Sequence, residues 1–281
     1  MRRTIVAAMA AVSLIAVAGC NQQTASNDNA ASENAAVPAA ADAISGTWKA
    51  DFATATVEQE PDRVLLQNGN YSCDTCVPKL AIPADGAFHP VSGSDYYDSA
   101  AVKVVDDKTV NLTRKKGDKV VGEFTRQLSA DGNTLTTKFK DSSLPNAPSV
   151  TGQVSARRVA PAPAGAHATS GSWMPDKFQN ISDEGITTTY RLDGDTLHMT
   201  SPSGVSFDAK LDGTDAPIKG DPTGVTASVK KLGDNSYEET DKRNGKVISV
   251  ATMAVGANGK LNVVYVDKER NQTTKYTANK Q

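Results

Sequence analysis

Two stretches of this chain repeat each other. Ser45-Gly-Thr-Trp48 returns 125 residues later as Ser170-Gly-Ser-Trp173, and these segments hold the only two tryptophans among 281 residues. Asn68-Gly69-Asn70 matches Asp193-Gly194-Asp195 at the same offset. Asp85-Gly-x-x-x-Pro90-Val-x-Gly93 then matches Asp212-Gly-x-x-x-Pro217-Ile-x-Gly220 at an offset of 127, as do Lys119-Val-Val121 with Lys246-Val-Ile248 and Gly132 with Gly259. A duplication of this length predicts two copies of one fold. The change of offset puts two extra residues of the second copy between the counterparts of Asn70 and Asp85. In the first copy that segment carries Cys73 and Cys76; in the second, around Thr200-Ser-Pro-Ser-Gly204, it has no cysteine. The duplicated fold therefore manages without the pair.

Within each copy, alternating and β-branched runs predict strands. Copy one offers Arg63–Leu66, Ala101–Val105, Thr109–Arg114, Lys119–Leu128 and Thr134–Phe139. Copy two offers Thr187–Leu192, Val205–Leu211, Ala227–Leu232, Lys246–Val255, Leu261–Val266 and Thr273–Thr277. Asn-Gly and Asp-Gly pairs at 68–69, 85–86, 131–132, 193–194, 212–213, 244–245 and 258–259 lie between them and suit hairpins that need positive φ. No amphipathic helix of ordinary length follows the first twenty residues. Seven or eight short antiparallel strands in ~110 residues favour closure over an open sheet, because closure removes exposed edges. The expectation is all-β: two tandem small antiparallel barrels, domain one at 44–159 and domain two at 170–281, joined by the Pro/Ala spacer at 160–169.

Gly46-x-Trp48 and Gly171-x-Trp173 open the two copies. This Gly-x-Trp resembles the first-strand motif of lipocalins, and Ser45-Gly-Thr-Trp-Lys49 is similar to the opening of fatty-acid-binding proteins. The resemblance implies a calycin-type barrel whose tryptophan packs across the closed end under an arginine from near the last strand, for which Arg157 or Arg158 is the candidate in copy one. It also implies a small apolar or amphipathic ligand at a barrel mouth; the local aromatic cluster of Tyr71, Tyr96 and Tyr97 fits either the lining of such a mouth or the small core. Each copy is shorter than a full lipocalin, and neither ends in the Arg-x-Tyr carboxylate clamp of fatty-acid-binding proteins.

The amino terminus states a compartment. Arg2-Arg3 precede an uncharged apolar run from Thr4 to Val17, and small residues follow up to Cys20. That is the layout of an export signal, too short for the ~20 apolar residues of a spanning helix. Val17-Ala18-Gly19-Cys20 resembles the lipobox of bacterial lipoproteins, which implies cleavage after residue 19 and lipidation of Cys20 with diacylglycerol and an amino-terminal acyl chain such as palmitate. Asn21 in place of Asp after the cysteine is the family's pattern for the outer membrane. An ordinary secretory signal is the alternative; a twin-arginine signal fits the residues after Arg3 poorly. Residues 20–43, polar and alanine-rich, make a disordered tether reaching roughly 25–30 Å. Removing residues 1–19 takes away two arginines and moves the net charge from −2 to −4, too little and too scattered to predict a nucleic-acid partner.

Cys73-Asp-Thr-Cys76 admits three readings. An even pair in an oxidising compartment is normally a disulfide. A thioredoxin-type centre needs a strand-to-helix setting that the pattern lacks, and a metal site needs two more ligands than the dispersed His89, His167 and His198 suggest. No nucleophile elbow, triad motif or calcium loop is present, and no cofactor is implied. Arg114-Lys115-Lys116 and Lys242-Arg243 precede hairpin turns, where solvated ends or contact with headgroups or a polyanion both fit. The functional expectation is a non-enzymatic, lipid-anchored protein on the periplasmic face of the outer membrane that binds a small apolar ligand. The alternatives are a structural or adhesive envelope module, in which duplication supplies two weak contacts, and a redox role for the cysteines.

Overall fold

The computed structural model describes residues 42–281; Cys20, the export signal and the tether up to residue 41 lie outside the described residues. Copy one supplies β1 (Gly46–Glu58), β2 (Asp62–Gln67), β3 (Asn70–Cys73), β4 (Leu80–Pro83), β5 (His89–Pro90), β6 (Ser99–Asp106), β7 (Thr109–Lys116), β8 (Lys119–Leu128), β9 (Thr134–Asp141) and β10 (Val150–Ala160). Copy two supplies β11 (Gly171–Gln179), β12 (Thr187–Asp193), β13 (Thr196–Thr200), β14 (Ser206–Lys210), β15 (Ala216–Pro217), β16 (Thr226–Gly233), β17 (Ser236–Arg243), β18 (Lys246–Val255), β19 (Leu261–Asp267) and β20 (Gln272–Lys280). Helical structure among the described residues is one 3-10 turn at Asp183–Gly185. Asn68-Gly69 and Asn244-Gly245 both have positive φ at each residue, as type I′ hairpins require.

The strands form two ten-stranded antiparallel sheets, each curled until it nearly closes. In barrel one the order is β4-β3-β2-β11-β10-β9-β8-β7-β6-β5, and in barrel two β14-β13-β12-β1-β20-β19-β18-β17-β16-β15. Barrel two draws shut where Ser206 and Lys219 exchange both backbone hydrogen bonds, at 3.1 and 2.8 Å. Matching bridges at Asp85↔Lys103 and Asp212↔Lys230 hold the short β5 and β15 corners in place.

The sheets do not divide as the sequence copies do. The opening strand of each copy belongs to the other copy's barrel: β1 lies between β12 and β20, and β11 lies between β2 and β10. The segments 44–159 and 170–281 thus mark the repeats, while each barrel combines nine strands of one repeat with one of the other.

Chain geometry explains the exchange. In barrel one Trp173 sits opposite Asp62. If β1 took that place, Trp48 would face Asp62. Along β20, Trp48 pairs with Lys280 and Glu58 with Thr273, a run of seven residues. At ~3.3 Å per residue Glu58 would then lie about 23 Å from where β2 starts. The four steps from Glu58 to Asp62 reach roughly 14 Å. Between Lys49 and Glu60 no Gly, Pro or Asn offers a turn, so the strand runs on and crosses over instead. The two exchanged strands meet where Phe52, in a bulge between Asp51 and Thr56, packs on Phe178 at a centroid distance of 5.4 Å.

The cores differ in continuity. Barrel two has one cluster, running from Trp48 through Leu197, Phe207, Val229 and Met253, and it takes in Leu144 from the β9–β10 loop of copy one. Barrel one has a main cluster around Val64, Leu80, Val102 and Leu112, and two smaller ones at Phe139–Val154 and at Trp173.

Candidate functional site: barrel ends, interiors and the seam

The two tryptophans are built alike. Each is 2% exposed, and each indole donates its Nε1–H to the carbonyl four residues earlier: Trp48 to Ile44 at 2.7 Å and Trp173 to Thr169 at 3.1 Å. A cation lies over each ring. Arg158 covers Trp173 at 4.2 Å, and Lys280 covers Trp48 at 5.3 Å. The expected arginine partner is therefore Arg158, over the tryptophan of copy two rather than copy one, because β10 neighbours the exchanged β11; Arg157 is exposed. Gly46 and Gly171 sit at φ +134° and +132°, where a Cβ would run into Lys280 and Arg158 respectively. The glycine of Gly-x-Trp thus makes room for the cation and adopts a backbone that L residues avoid.

The interior of barrel two is not a roomy lipid cavity. Barrel two retains a cavity of about 20 Å³ lined by Trp48, Tyr190, Glu239, Met253, Tyr265 and Tyr276, space for roughly one water. Glu239 is 8% exposed, and its carboxyl is held well above the usual range by burial, by the negative charge of Asp241, and by its hydrogen bond to Asp241. Burial likewise pushes the Tyr190 and Tyr276 phenols up, with the charge of Glu239 next in each case. In barrel one, the Arg114 guanidinium lies between the rings of Tyr97 and Phe124, 4.6 and 4.8 Å from their centroids. Arg126 donates to the Tyr71 hydroxyl at 2.7 Å.

The three tyrosines expected at a barrel mouth separate. Tyr71 and Tyr97 are core residues of barrel one, 2% and 1% exposed. Tyr96 leaves the barrel and donates its hydroxyl to Asp221 of copy two at 2.7 Å. It marks the seam between the barrels.

Cys73 and Cys76 form a disulfide with Cα atoms 5.4 Å apart. Cys73 is part of the barrel-one core, while Cys76 lines a seam cleft of about 330 Å³ with Arg63, Asp74, Lys79, Glu269 and Arg270. In the loop-entropy picture so short a ring adds about 2 kcal/mol. A second seam cleft, about 490 Å³, is lined by Tyr96, Lys116, Lys119, Ser142, Ser143 and Thr223, with Pro145 and Pro222 beside them. Both clefts draw their walls from several loops, and each includes residues of both copies.

Two of the three histidines find carboxylates, and His167 contacts the Asp106 backbone carbonyl at 2.8 Å. His198 contacts Asp208 across the β13–β14 pair at 2.6 Å, and Lys219 reaches the other oxygen at 2.8 Å. These two partners pull the Asp208 carboxyl below its usual range, Lys219 first. His89 contacts Asp85 at 2.9 Å, which lowers Asp85 in the same way. Among the described residues no group of three or more His, Cys, Asp or Glu is arranged to hold a metal.

Sequence reading missed Glu239 and Asp241, because Ser-Tyr-Glu-Glu-Thr-Asp-Lys-Arg looks like a solvated strand. The missing signal was alignment: with the offset of 127, Glu239 falls on Leu112 and Asp241 on Arg114, both inward positions of β7. No family model matches this chain, and neither a curated protein nor a solved structure matches it.

Proposed function

We propose that this chain is a non-enzymatic, lipid-anchored envelope protein, tethered through Cys20 to the periplasmic face of the outer membrane, that holds its ligand at the seam between two lipocalin-like barrels. The observation behind this reading is the distribution of space: about 490 and 330 Å³ in the seam clefts against about 20 Å³ inside barrel two. Small-ligand sites run to several hundred Å³ and favour junctions between packed units. An apolar ligand seated inside barrel two, the lipocalin-type arrangement, has to displace Met253, Val263 or the tyrosines around Glu239.

Radiolabelled palmitate fed to expressing cells is expected to label the wild-type protein and leave C20A unlabelled. A photo-crosslinking residue at Ser143, in the seam, is expected to capture small-molecule adducts in envelope preparations, and one at Val263, inside barrel two, to capture none. Adducts at Val263 alone overturn the seam reading in favour of an interior ligand.

The adhesive reading has one observation of its own. Val105 and Leu232 occupy equivalent hairpin positions 127 residues apart and are 51% and 54% exposed. Duplication thus presents the same apolar contact twice, which suits two weak attachments on one chain. Loss of envelope crosslinks in V105S/L232S, with Ser143 adducts retained, selects this reading.

A further inference from the structure

The two β-hairpin tips that carry basic runs are equivalent, yet their charges are handled differently. In copy two Arg243 pairs across the hairpin with Lys246, and its guanidinium is met by Asp95 at 3.2 Å and Glu269 at 3.3 Å. Lys242 is met by Asp215 at 2.6 Å. In copy one the corresponding pair is Lys116 opposite Lys119. Like charges directly opposite each other destabilise a hairpin. Among the described residues neither lysine forms an ion pair with a carboxylate, and both line the 490 Å³ cleft.

The carboxylates close by are already engaged. Asp95, which lines the cleft, faces Arg243. Asp221 accepts the Tyr96 hydroxyl on one oxygen, and on the other the Thr223 backbone N–H at 2.8 Å and hydroxyl at 2.5 Å. Among the described residues, Lys116 and Lys119 are thus the two cations of the cleft lining that no carboxylate engages. Around them are the hydroxyl-bearing Ser142, Ser143 and Thr223 and the apolar surfaces of Val121, Pro145 and Pro222. Two lysines match the charge of one phosphate dianion, which they bind as point charges. Hydroxyls and proline rings match the polar edges and apolar faces of a sugar, and the volume leaves space beyond a bare phosphate.

We propose that this cleft binds a phosphorylated saccharide, with Lys116 and Lys119 on the phosphate and Ser142, Ser143 and Thr223 around the sugar. The proposal rests on the seam reading and names its ligand class. The same chemistry is offered by a soluble sugar phosphate and by the phosphorylated sugar headgroup of a membrane glycolipid.

The test is titration of the full mature chain, followed by amide chemical shifts and by calorimetry. The probes are glucosamine 1-phosphate, glucose, inorganic phosphate, and vesicles carrying a phosphorylated glucosamine glycolipid. Glucosamine 1-phosphate is expected to shift residues 94–96, 116–121 and 142–145, to bind at least tenfold more tightly than glucose, and to lose at least tenfold in K116Q/K119Q. Vesicle binding that is also lost in K116Q/K119Q identifies the glycolipid headgroup as the source; binding of the soluble probe alone identifies a free sugar phosphate. Equal affinity for glucose and glucosamine 1-phosphate, or binding untouched by K116Q/K119Q, overturns the proposal. If Ser143 crosslinks persist while those variants are indifferent, the ligand class fails and the seam reading stands.

Discussion

Barrel one and barrel two are the same β-scaffold with a basic group inside one and acidic groups inside the other. At equivalent positions of β7 and β17, barrel one carries Leu112 and Arg114 where barrel two carries Glu239 and Asp241. Barrel one covers its guanidinium with two aromatic rings. Barrel two buries an acid beside another carboxylate, which raises the Glu239 carboxyl well above its usual range. Backbone register therefore does not dictate what fills the interior. Each barrel meets the cost of desolvating a polar group locally, through ring faces in one and a shared hydrogen bond in the other. What the barrels do share is the end cap, a buried tryptophan under a cation, and in this fold each cap includes the tryptophan of a strand lent by the other copy.

The largest expected effect comes from separating the barrels. Residues 44–159 expressed alone contain β1 and β2 but lack β11, and the four steps from Glu58 to Asp62 are too short to bring β1 back beside β2 in its own chain. The expected product is a strand-exchanged homodimer, seen as a doubled mass by light scattering with native-like β dispersion in NMR spectra. A folded monomer would sink the reach argument made for Gln59-Glu60-Pro61.

Next come the end caps. Arg158 donates to the carbonyls of Gly132, Ser170 and Ala168 at 2.7, 2.6 and 2.8 Å besides covering Trp173. Lys280 offers its partner tryptophan the ring contact at longer range. R158A is expected to cost about 2–4 kcal/mol in denaturant unfolding, from lost charged hydrogen bonds and the part-buried carbonyls of Gly132 and Ser170 left bare. K280A is expected to cost less than about 1 kcal/mol, the scale of an exposed cation–π contact. Equal losses would remove the distinction drawn between the two ends.

A further effect is a pH dependence that arises from Glu239 of barrel two. Because the folded state raises the Glu239 carboxyl above its unfolded value of 4.5, its contribution to stability is complete below about pH 4.5 and is lost as pH rises through the folded value. E239Q stays neutral throughout. Thermal melts are expected to place it within about 1 °C of wild type at pH 4 and several degrees above it at pH 8. A constant offset at both pH values would mean that Glu239 is not the titrating group.

The sequence made the duplication, the strand class and most hairpin turns readable, because period-two alternation and Asn-Gly or Asp-Gly pairs are local signals. Runs such as Lys119–Leu128 and Lys246–Val255 emerge as β8 and β18 with the same bounds. The exchange was not read, although its cause is written between Lys49 and Glu60 as a missing turn. Pairing partners are long-range facts, and an opening strand looks identical whichever barrel it enters. The tyrosine cluster divides between its two readings, with Tyr71 and Tyr97 in the core and Tyr96 at the seam. Tyr96 and Tyr97 are adjacent in the loop between β5 and β6, where the irregular backbone turns one into the core and the other into the seam. Seam clefts depend on loops from both copies, and no single segment announces them.

Crosslinking tests the strand exchange most directly. Lys49 pairs with Asn279 on β20, whereas its counterpart in barrel one, Met174, pairs with Arg157 on β10. In monomeric full-length protein, K49C/N279C is expected to form an intramolecular bond on mild oxidation, and K49C/R157C to stay reduced. The reverse outcome, a bond between positions 49 and 157 and none between 49 and 279, would mean that each repeat closes its own barrel.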